Sequence, residues 1–146
     1  MGLNWDLMQA FVHPSVTEIT VEGILHALAD PERVSIYASI VNSECTQSCS
    51  SFLRVSERAI PKSTLSQHFK ALREAGLIRS ERKGVEVHNT SRCAEIEERF
   101  PGLIRAIVNS HSIQLQEERR RAAARKRRRS GEGEPAPHGG SRPPGR

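Results

Sequence analysis

Apolar side chains recur at the spacing of an α-helix in two neighbouring stretches of the first third of the chain. The first stretch follows Thr17 and Thr20, two candidate N-caps, and its apolar residues stand at i, i+3, i+4 and i+7. Asp30 and Pro31 then end this helix and begin another, since Asp caps helices well and Pro is favoured at the first helical position. The periodic positions are Val21, Ile24, Leu25 and Leu28 in the first helix and Val34, Tyr37, Ala38 and Val41 in the second.

A poorly patterned segment and then a strongly patterned one follow. We interpret Cys45–Arg54 as a short helix, although Phe52 and Leu53 are its only large apolar residues. The segment Pro61–Gly76 is a clear helix, with a stripe of apolar side chains and a glycine at the position of a left-handed C-terminal stop. The stripe is Leu65, Phe69 and Leu72, the opposite face is Ser63, Gln67, Lys70 and Glu74, and Thr64, Ser66 and Arg73 lie on the flanks.

The next apolar positions alternate, which predicts a β-hairpin. Ile78 and Ser80 precede a polar turn at Glu81–Gly84, and Val85 and Val87 follow it. Ser91 can cap a further helix that ends near Arg99, and Pro101 begins the last one. That last helix has an apolar stripe at Ile104, Ile107, Val108, His111 and Leu115.

This order of elements predicts a mainly α fold, a winged helix-turn-helix with a two-stranded β-hairpin as its wing, dimerising through its terminal helices. Short polar side chains allow a helix to approach base edges in the major groove of double-stranded DNA, and the cations of a hairpin contact phosphates. His68 lies nearer the apolar stripe, which favours packing or a phosphate contact. The expected DNA-contacting residues are Lys62, Ser63, Thr64, Ser66, Gln67, Lys70, Arg73, Arg82 and Lys83.

Charge is distributed unevenly along the 146 residues, whose formal net charge is +5. From Arg119 onward, ten basic residues face two acidic ones, whereas the first 118 residues carry a small negative net charge. Lys62–Lys83 is a basic island within that acidic part, as expected for a surface that meets an anionic partner. We therefore expect a helical extension over residues 1–15, the DNA-binding and dimerisation domain over residues 16–118, and a basic, disordered tail over residues 119–146.

Two motifs resemble the ArsR-type winged-helix repressors, the arsenic-resistance-repressor family of bacteria. They are Leu28-Ala-Asp-Pro-Glu-Arg33 and Lys62-Ser-Thr-Leu-Ser-Gln-His-Phe-Lys-Ala-Leu-Arg-Glu-Ala-Gly-Leu-Ile78, and the resemblance extends over roughly residues 16 to 115. It implies a homodimer on an inverted-repeat operator, released by a metal, an oxidant or another signal, with the Pro61–Ala75 helix on the DNA. We place the dimer interface on Trp5–Val12, Val21–Leu28 and Ile104–Leu115, with Trp5, Phe11, Ile104, Ile107 and Val108 as its apolar residues.

Three cysteines are the candidate effector site. Metal sensors of this family commonly carry Cys-x-Cys before the helix-turn-helix, whereas this chain has Cys45 and Cys49 four residues apart, on one face if the segment is helical. A second family site begins with Asp-x-His, and Glu86-Val-His88 has no matching second half. Zinc or arsenite ligation by Cys45, Cys49 and Cys93, a redox-active pair, and ordinary small filler residues all remain open.

Other classes of function have little support in the sequence. No catalytic motif, secretory signal or long apolar run occurs, so we expect a cytoplasmic DNA-binding protein with no enzymatic activity and no membrane association. The alternative function is a protein-interaction winged helix that its basic tail tethers to nucleic acid. Operator footprinting distinguishes the two.

Overall fold

The computed structural model describes residues 11–42, 47–48 and 60–131 and divides the chain into two compact units, Met1–His111 and Ser112–Arg146. A single turn of 3-10 helix at Val16–Glu18 precedes the regular elements. These elements are the helices α1 (Val21–Leu28), α2 (Pro31–Asn42), α3 (Lys62–Glu74), α4 (Cys93–Arg99) and α5 (Leu103–Gly131), and the strands β1 (Gln47–Ser48), β2 (Ile78–Lys83) and β3 (Glu86–Ser91). The mainly helical winged helix-turn-helix fold is therefore confirmed.

Of the capping residues that the sequence suggested, Thr20 and Asp30 begin the first two helices, while Thr17 lies inside the 3-10 turn. The Thr20 side chain accepts a hydrogen bond from the Gly23 amide at 3.0 Å at the start of α1. The Asp30 carboxylate accepts from the amides of Glu32 and Arg33, at 2.9 and 3.1 Å, and so satisfies two donors that the first turn of α2 leaves unpaired.

Residues Phe11–Ser15 are not helical, so the expected helical extension is wrong over these residues, while residues 1–10 lie outside the described part of the chain. Pro14 disfavours helical geometry at the residue before it. Ser15 instead forms a capping box with Glu18, whose carboxylate accepts from the Ser15 amide at 2.7 Å.

The hairpin forms, but its turn lies further along the chain than the alternation suggested. Lys83 pairs with Glu86, and Gly84 and Val85 make the two-residue turn. Gly84 has a φ of 65°, which a glycine adopts at little cost, and this allows the residues from Glu81 to Lys83 to stay in the strand.

A third strand corrects the expectation of a helix at Gln47–Ser48, two residues of the Cys45–Arg54 segment. Gln47 pairs with Asn89 and Ser48 with His88, so β1 lies against the free edge of β3 and the sheet order is β1-β3-β2. Pairing with an exposed strand edge outweighs a weak local preference for helix. The remaining residues of the segment lie outside the described part of the chain.

One apolar core holds the first unit together, and its largest fully buried side chains include Tyr37, Phe69 and Leu77. Ile104 and Val108 of α5 belong to this core, which corrects their expected place in a dimer interface. Ile107 packs against the core and is partly buried, while Leu25 of α1 is 51% exposed.

Helix α5 continues to Gly131, so the expected disorder from Arg119 is wrong as far as that residue. Arg, Ala, Lys, Gln and Glu are good helix formers, and neither Gly nor Pro interrupts residues 103–130. Residues 132–146 lie outside the described part. Among the described helices, none is long and apolar enough to cross a membrane.

Candidate nucleic-acid interface

Helix α3 has one buried face and one exposed polar face. Leu65, Phe69 and Leu72 are at most 3% exposed, so the helix cannot rotate without removing them from the core. The residues expected on the outer face, Ser63, Gln67, Lys70 and Glu74, are exposed. Lys62 at the start of the helix and Ser66 on a flank are also exposed, while Thr64 and Arg73, the other two flanking residues, are half-buried.

A tight turn fixes the position of the wing relative to α3. The amide of Leu77 donates to the carbonyl of Leu72 at 3.0 Å, and the amide of Gly76 donates to the carbonyl of Arg73 at 3.0 Å. These are the two hydrogen bonds of a Schellman motif. Gly76 has a φ of 81°, as this motif requires. Leu77 and Ile78 follow at once and are fully buried, so the first strand of the wing begins in the core.

The end of the wing carries exposed cations. Arg82 and Lys83 are the last two residues of β2, next to the hairpin turn. Both are exposed, as expected for contacts to phosphates. Val85 at the tip is completely exposed. Arg79, nearer the base of β2, pairs with Glu95 of α4 at 3.2 Å.

Arg73 has partners within the protein. Its Nε donates to the Ser80 hydroxyl at 3.1 Å, its guanidinium lies 4.1 Å from the centre of the Phe11 ring, and the Ser80 hydroxyl donates to the Asn89 side chain at 2.7 Å. Ser80 and Asn89 are buried. Arg73 thus connects α3 to the wing, and its expected contact with DNA stays a prediction.

His13 is a residue of this region that sequence reasoning missed. Its Nε2 accepts a hydrogen bond from the buried Ser80 amide at 2.9 Å, on the edge of β2 that none of the described strands covers. Desolvation, followed by the nearby positive charges of Arg79, Arg73 and Arg92, lowers the pKa of His13 below its ordinary value. No local signal in the sequence indicates this contact, because its two partners are 67 residues apart.

The helix with the exposed polar face and the start of the basic hairpin lie within a match to a known family, which ends before Arg82 and Lys83. Residues 28–81 match the family model described as "Helix-turn-helix domain". The chain therefore contains a helix-turn-helix domain over these residues. The match contains both motifs that carry the ArsR-type resemblance, and it supports DNA binding and the regulation of transcription as the role of this chain.

Solved structures of similar proteins include three bacterial regulators. The transcriptional repressor BigR from Xylella fastidiosa is 22% identical, with 64% of this chain and 85% of that chain covered and a TM-score of 0.49. The ArsR-like regulator from Rhodococcus sp. RHA1 is 26% identical, with 72% and 89% covered and a TM-score of 0.45. Rv0081 of M. tuberculosis is 26% identical, with 67% and 89% covered and a TM-score of 0.47. A comparison with curated proteins finds no match.

The helix-turn-helix domain also brings three potential metal ligands together. Asp30, Glu32 and His68 place one ligand atom each within 4.8 Å of one another. The His68 Nε2 lies 3.1 Å from the Glu32 carboxylate, while its Nδ1 accepts from Nε of Arg33 at 3.4 Å. His68 is 6% exposed, which agrees with the packing role expected for it.

These hydrogen bonds do not fit a metal centre. A histidine that ligates a metal usually donates its other ring N–H to an acceptor, whereas here Arg33 donates to that nitrogen. Since Nδ1 accepts, Nε2 carries the ring proton and donates it to Glu32, and the Asp30 carboxylate already caps α2. The cluster therefore holds α2 against α3.

The three cysteines are not brought together within the described residues. Cys45 and Cys49 lie outside them. Cys93 begins α4 and is partly buried against the core, and desolvation, with the negative charge of Glu97, raises the pKa of its thiol. A raised pKa lowers the thiolate fraction at neutral pH, so the environment of Cys93 favours packing over reactivity.

Proposed function

We propose that the chain is a dimeric, sequence-specific repressor that binds double-stranded DNA at an inverted-repeat operator. The observation that supports this function best is the exposed polar face of α3, held outward by the burial of the opposite face. Ordinary solvated helices also have polar faces. Here, however, the face belongs to a helix-turn-helix domain and lies in the same domain as an exposed basic hairpin.

Different side chains serve different parts of this function. Ser63 and Gln67 are short, exposed and able to donate and accept hydrogen bonds, so they contact base edges in the major groove. The cations contact phosphates, which positions the helix and carries no sequence information. Those cations are Lys62, Lys70, Arg82 and Lys83, with Thr64, Ser66 and Arg73 flanking the base-contacting pair.

Selection of binding sites from random DNA tests this function. We expect inverted repeats whose half-sites lie about 34 to 36 Å apart, since one helix covers only a few base pairs. Ser63→Ala or Gln67→Ala lowers affinity by about 1 to 3 kcal/mol and relaxes the preference at one position of each half-site, whereas Arg82→Ala weakens binding to all sequences alike.

Ser39→Ala, which changes an exposed serine on α2, is the matched control and leaves affinity and preference unchanged. If both α3 variants keep the full preference of the wild type, the assignment of α3 to the bases is wrong. If the wild type selects no sequence at all, the protein-interaction alternative is favoured.

Release by a signal is the second part of the proposal, with Cys45 and Cys49 as its receiving site. Two thiolates supply half of a tetrahedral zinc shell, so Cys93 or a residue of a second copy completes it, unless arsenite binds with three ligands. A signal acts only if it binds the DNA-free form more tightly, with a coupling of about 1 to 3 kcal/mol.

The test is operator affinity with zinc, arsenite or peroxide. The expected result is that one of them weakens binding by the wild type and not by the Cys45→Ser/Cys49→Ser variant. Cys93→Ser is compared beside them to show whether the third thiol takes part. A wild type indifferent to all three reagents leaves the cysteines as filler residues.

A further inference from the structure

The C-terminal part of α5 carries a dense positive charge that the helix-turn-helix domain does not use. In the basic segment, defined as Arg119–Arg129, eight of eleven residues are Arg or Lys and none is acidic. All of these side chains are exposed, and within the described residues no ion pair neutralises any of them. The segment is helical, so the charges occupy fixed positions around an axis.

Three arginines lie close together on one face of the helix. At about 100° per residue, Arg121, Arg125 and Arg128 fall within about 60° of one another. We name these three residues the arginine stripe. Arg119, Arg120 and Arg127 lie on the opposite side of the helix, so the two sets have equal charge and different directions.

Like charges at i, i+3 and i+4 repel one another along a helix. Within the basic segment this repulsion acts between Arg121 and Arg125 and between Arg125 and Arg128 or Arg129. The repulsion destabilises the isolated helix. Binding to a polyanion removes the repulsion, so an anionic partner stabilises the helix.

The charge density fits duplex DNA. Eleven helical residues extend about 16 Å, which gives roughly one positive charge per 2 Å, while a duplex carries one negative charge per about 1.7 Å. The major groove also admits an α-helix. DNA is favoured over other polyanions because the same chain carries a DNA-binding domain, which raises the local concentration of duplex near the segment.

We infer that the basic segment is a second DNA-contacting element, which docks on the backbone of duplex DNA as a helix through the arginine stripe. This inference rests on the proposed function for the choice of DNA. The element adds affinity and no base preference, because its contacts are to phosphates.

The experiment compares two full-length triple variants on a random duplex of 20 base pairs, by fluorescence anisotropy over a range of salt concentrations. Arg121→Gln/Arg125→Gln/Arg128→Gln removes the stripe, and Arg119→Gln/Arg120→Gln/Arg127→Gln removes the same charge from the opposite side. Gln is a good helix former, and circular dichroism verifies that both variants keep the helicity of the wild type.

The stripe variant is expected to lower the slope of log K against log salt by about 2 to 3, and the opposite-side variant by less than about 1. Equal losses in the two variants would show an unstructured polyelectrolyte and overturn the inference, as would no loss in either. Tighter, stripe-dependent binding to an RNA duplex of the same length would overturn the assignment to DNA. The Ser63→Ala/Gln67→Ala variant distinguishes a failure of the proposed function from a failure of this inference. It alters sequence preference and not the slope of log K against log salt.

Discussion

At the scale of single residues, His13 shows how one side chain ties together two elements that are distant in sequence. It accepts a hydrogen bond from the buried amide of Ser80, at the edge of the sheet where no strand of the described part of the chain is paired. Arg73 donates to the hydroxyl of the same serine. The wing is therefore held at Ser80 both by α3 and by the segment that precedes α1.

The stability of the protein is expected to depend on pH through His13. Its pKa is lowered in the folded state, so the unfolded chain takes up the proton more readily. The stabilisation that neutral His13 provides is complete above its ordinary pKa of about 6.5. It is lost as the pH falls through the lower pKa of His13 in the folded protein. Protonation also gives Nε2 a hydrogen, which faces the Ser80 N–H. Urea unfolding measured from pH 8 to pH 5 tests this.

His13→Gln and His13→Ala are the comparison variants. Gln keeps an acceptor without a titration, so the difference in unfolding free energy between wild type and variant shrinks toward acidic pH. Ala leaves the Ser80 amide without its acceptor and costs about 1 to 2 kcal/mol at neutral pH. A difference between wild type and His13→Gln that is constant with pH would show that His13 does not titrate in this range.

At the scale of elements, the turn between α3 and β2 sets the angle at which the wing leaves the core. The sequence marks it with a glycine after the last apolar position of a helix, and the structure confirms that stop in Gly76. The hairpin turn is different: alternation placed it at Glu81–Gly84, but the structure has it at Gly84 and Val85. Local pattern identifies the hairpin, while its register depends on which residues pair with β3.

Gly76→Ala is expected to destabilise the protein by more than a positive φ alone explains. Its φ is 81°, and an added Cβ would overlap the side chain of Ile19, which is buried. The left-handed conformation costs an alanine about 1 to 2 kcal/mol, and the overlap adds about 1 to 3 kcal/mol. Thermal or urea unfolding measures the sum.

Gly102→Ala is the matched control for this substitution. Gly102 has a φ of 83°, but no atom lies within 4 Å of the position that its Cβ would take. It therefore reports the conformational cost alone. Equal losses in the two variants would mean that Ile19 moves aside without cost and that the close approach does not constrain the turn.

At the scale of the whole molecule, the proposed dimer has to use side chains that the core leaves free. Ile104 and Val108, two residues of the expected interface, are already buried in their own chain. Leu25 and Ile113, which lie within the proposed interface ranges, are 51% and 52% exposed. These two positions can therefore test association with little effect on folding.

Leu25→Glu and Ile113→Glu are each expected to shift the protein toward monomers in sedimentation velocity at micromolar concentration, because a buried carboxylate at an apolar interface is strongly disfavoured. Operator binding falls with the loss of the dimer. Val85→Glu is the control for the sedimentation measurement alone, since this side chain is fully exposed at the tip of the wing, outside the proposed interface. A wild type that sediments as a monomer contradicts the proposed dimer.

The sequence by itself determined the elements whose signals are local. The helical spacing of Leu65, Phe69 and Leu72, the capping carboxylate of Asp30 and the glycine at residue 76 each act within a few residues, and together with the two family motifs they were enough to predict a winged helix with an exposed polar face on α3.

Only the tertiary structure decided what depends on partners far along the chain. The strand at Gln47–Ser48, the contact of His13 with Ser80 and the burial of Ile104 and Val108 all join residues that no local pattern connects. The physical reason is that burial and edge pairing outweigh propensities of a few tenths of a kcal/mol per residue. In the basic segment, by contrast, composition suggested disorder, and the helix propensity of Arg, Lys and Ala was the stronger local preference.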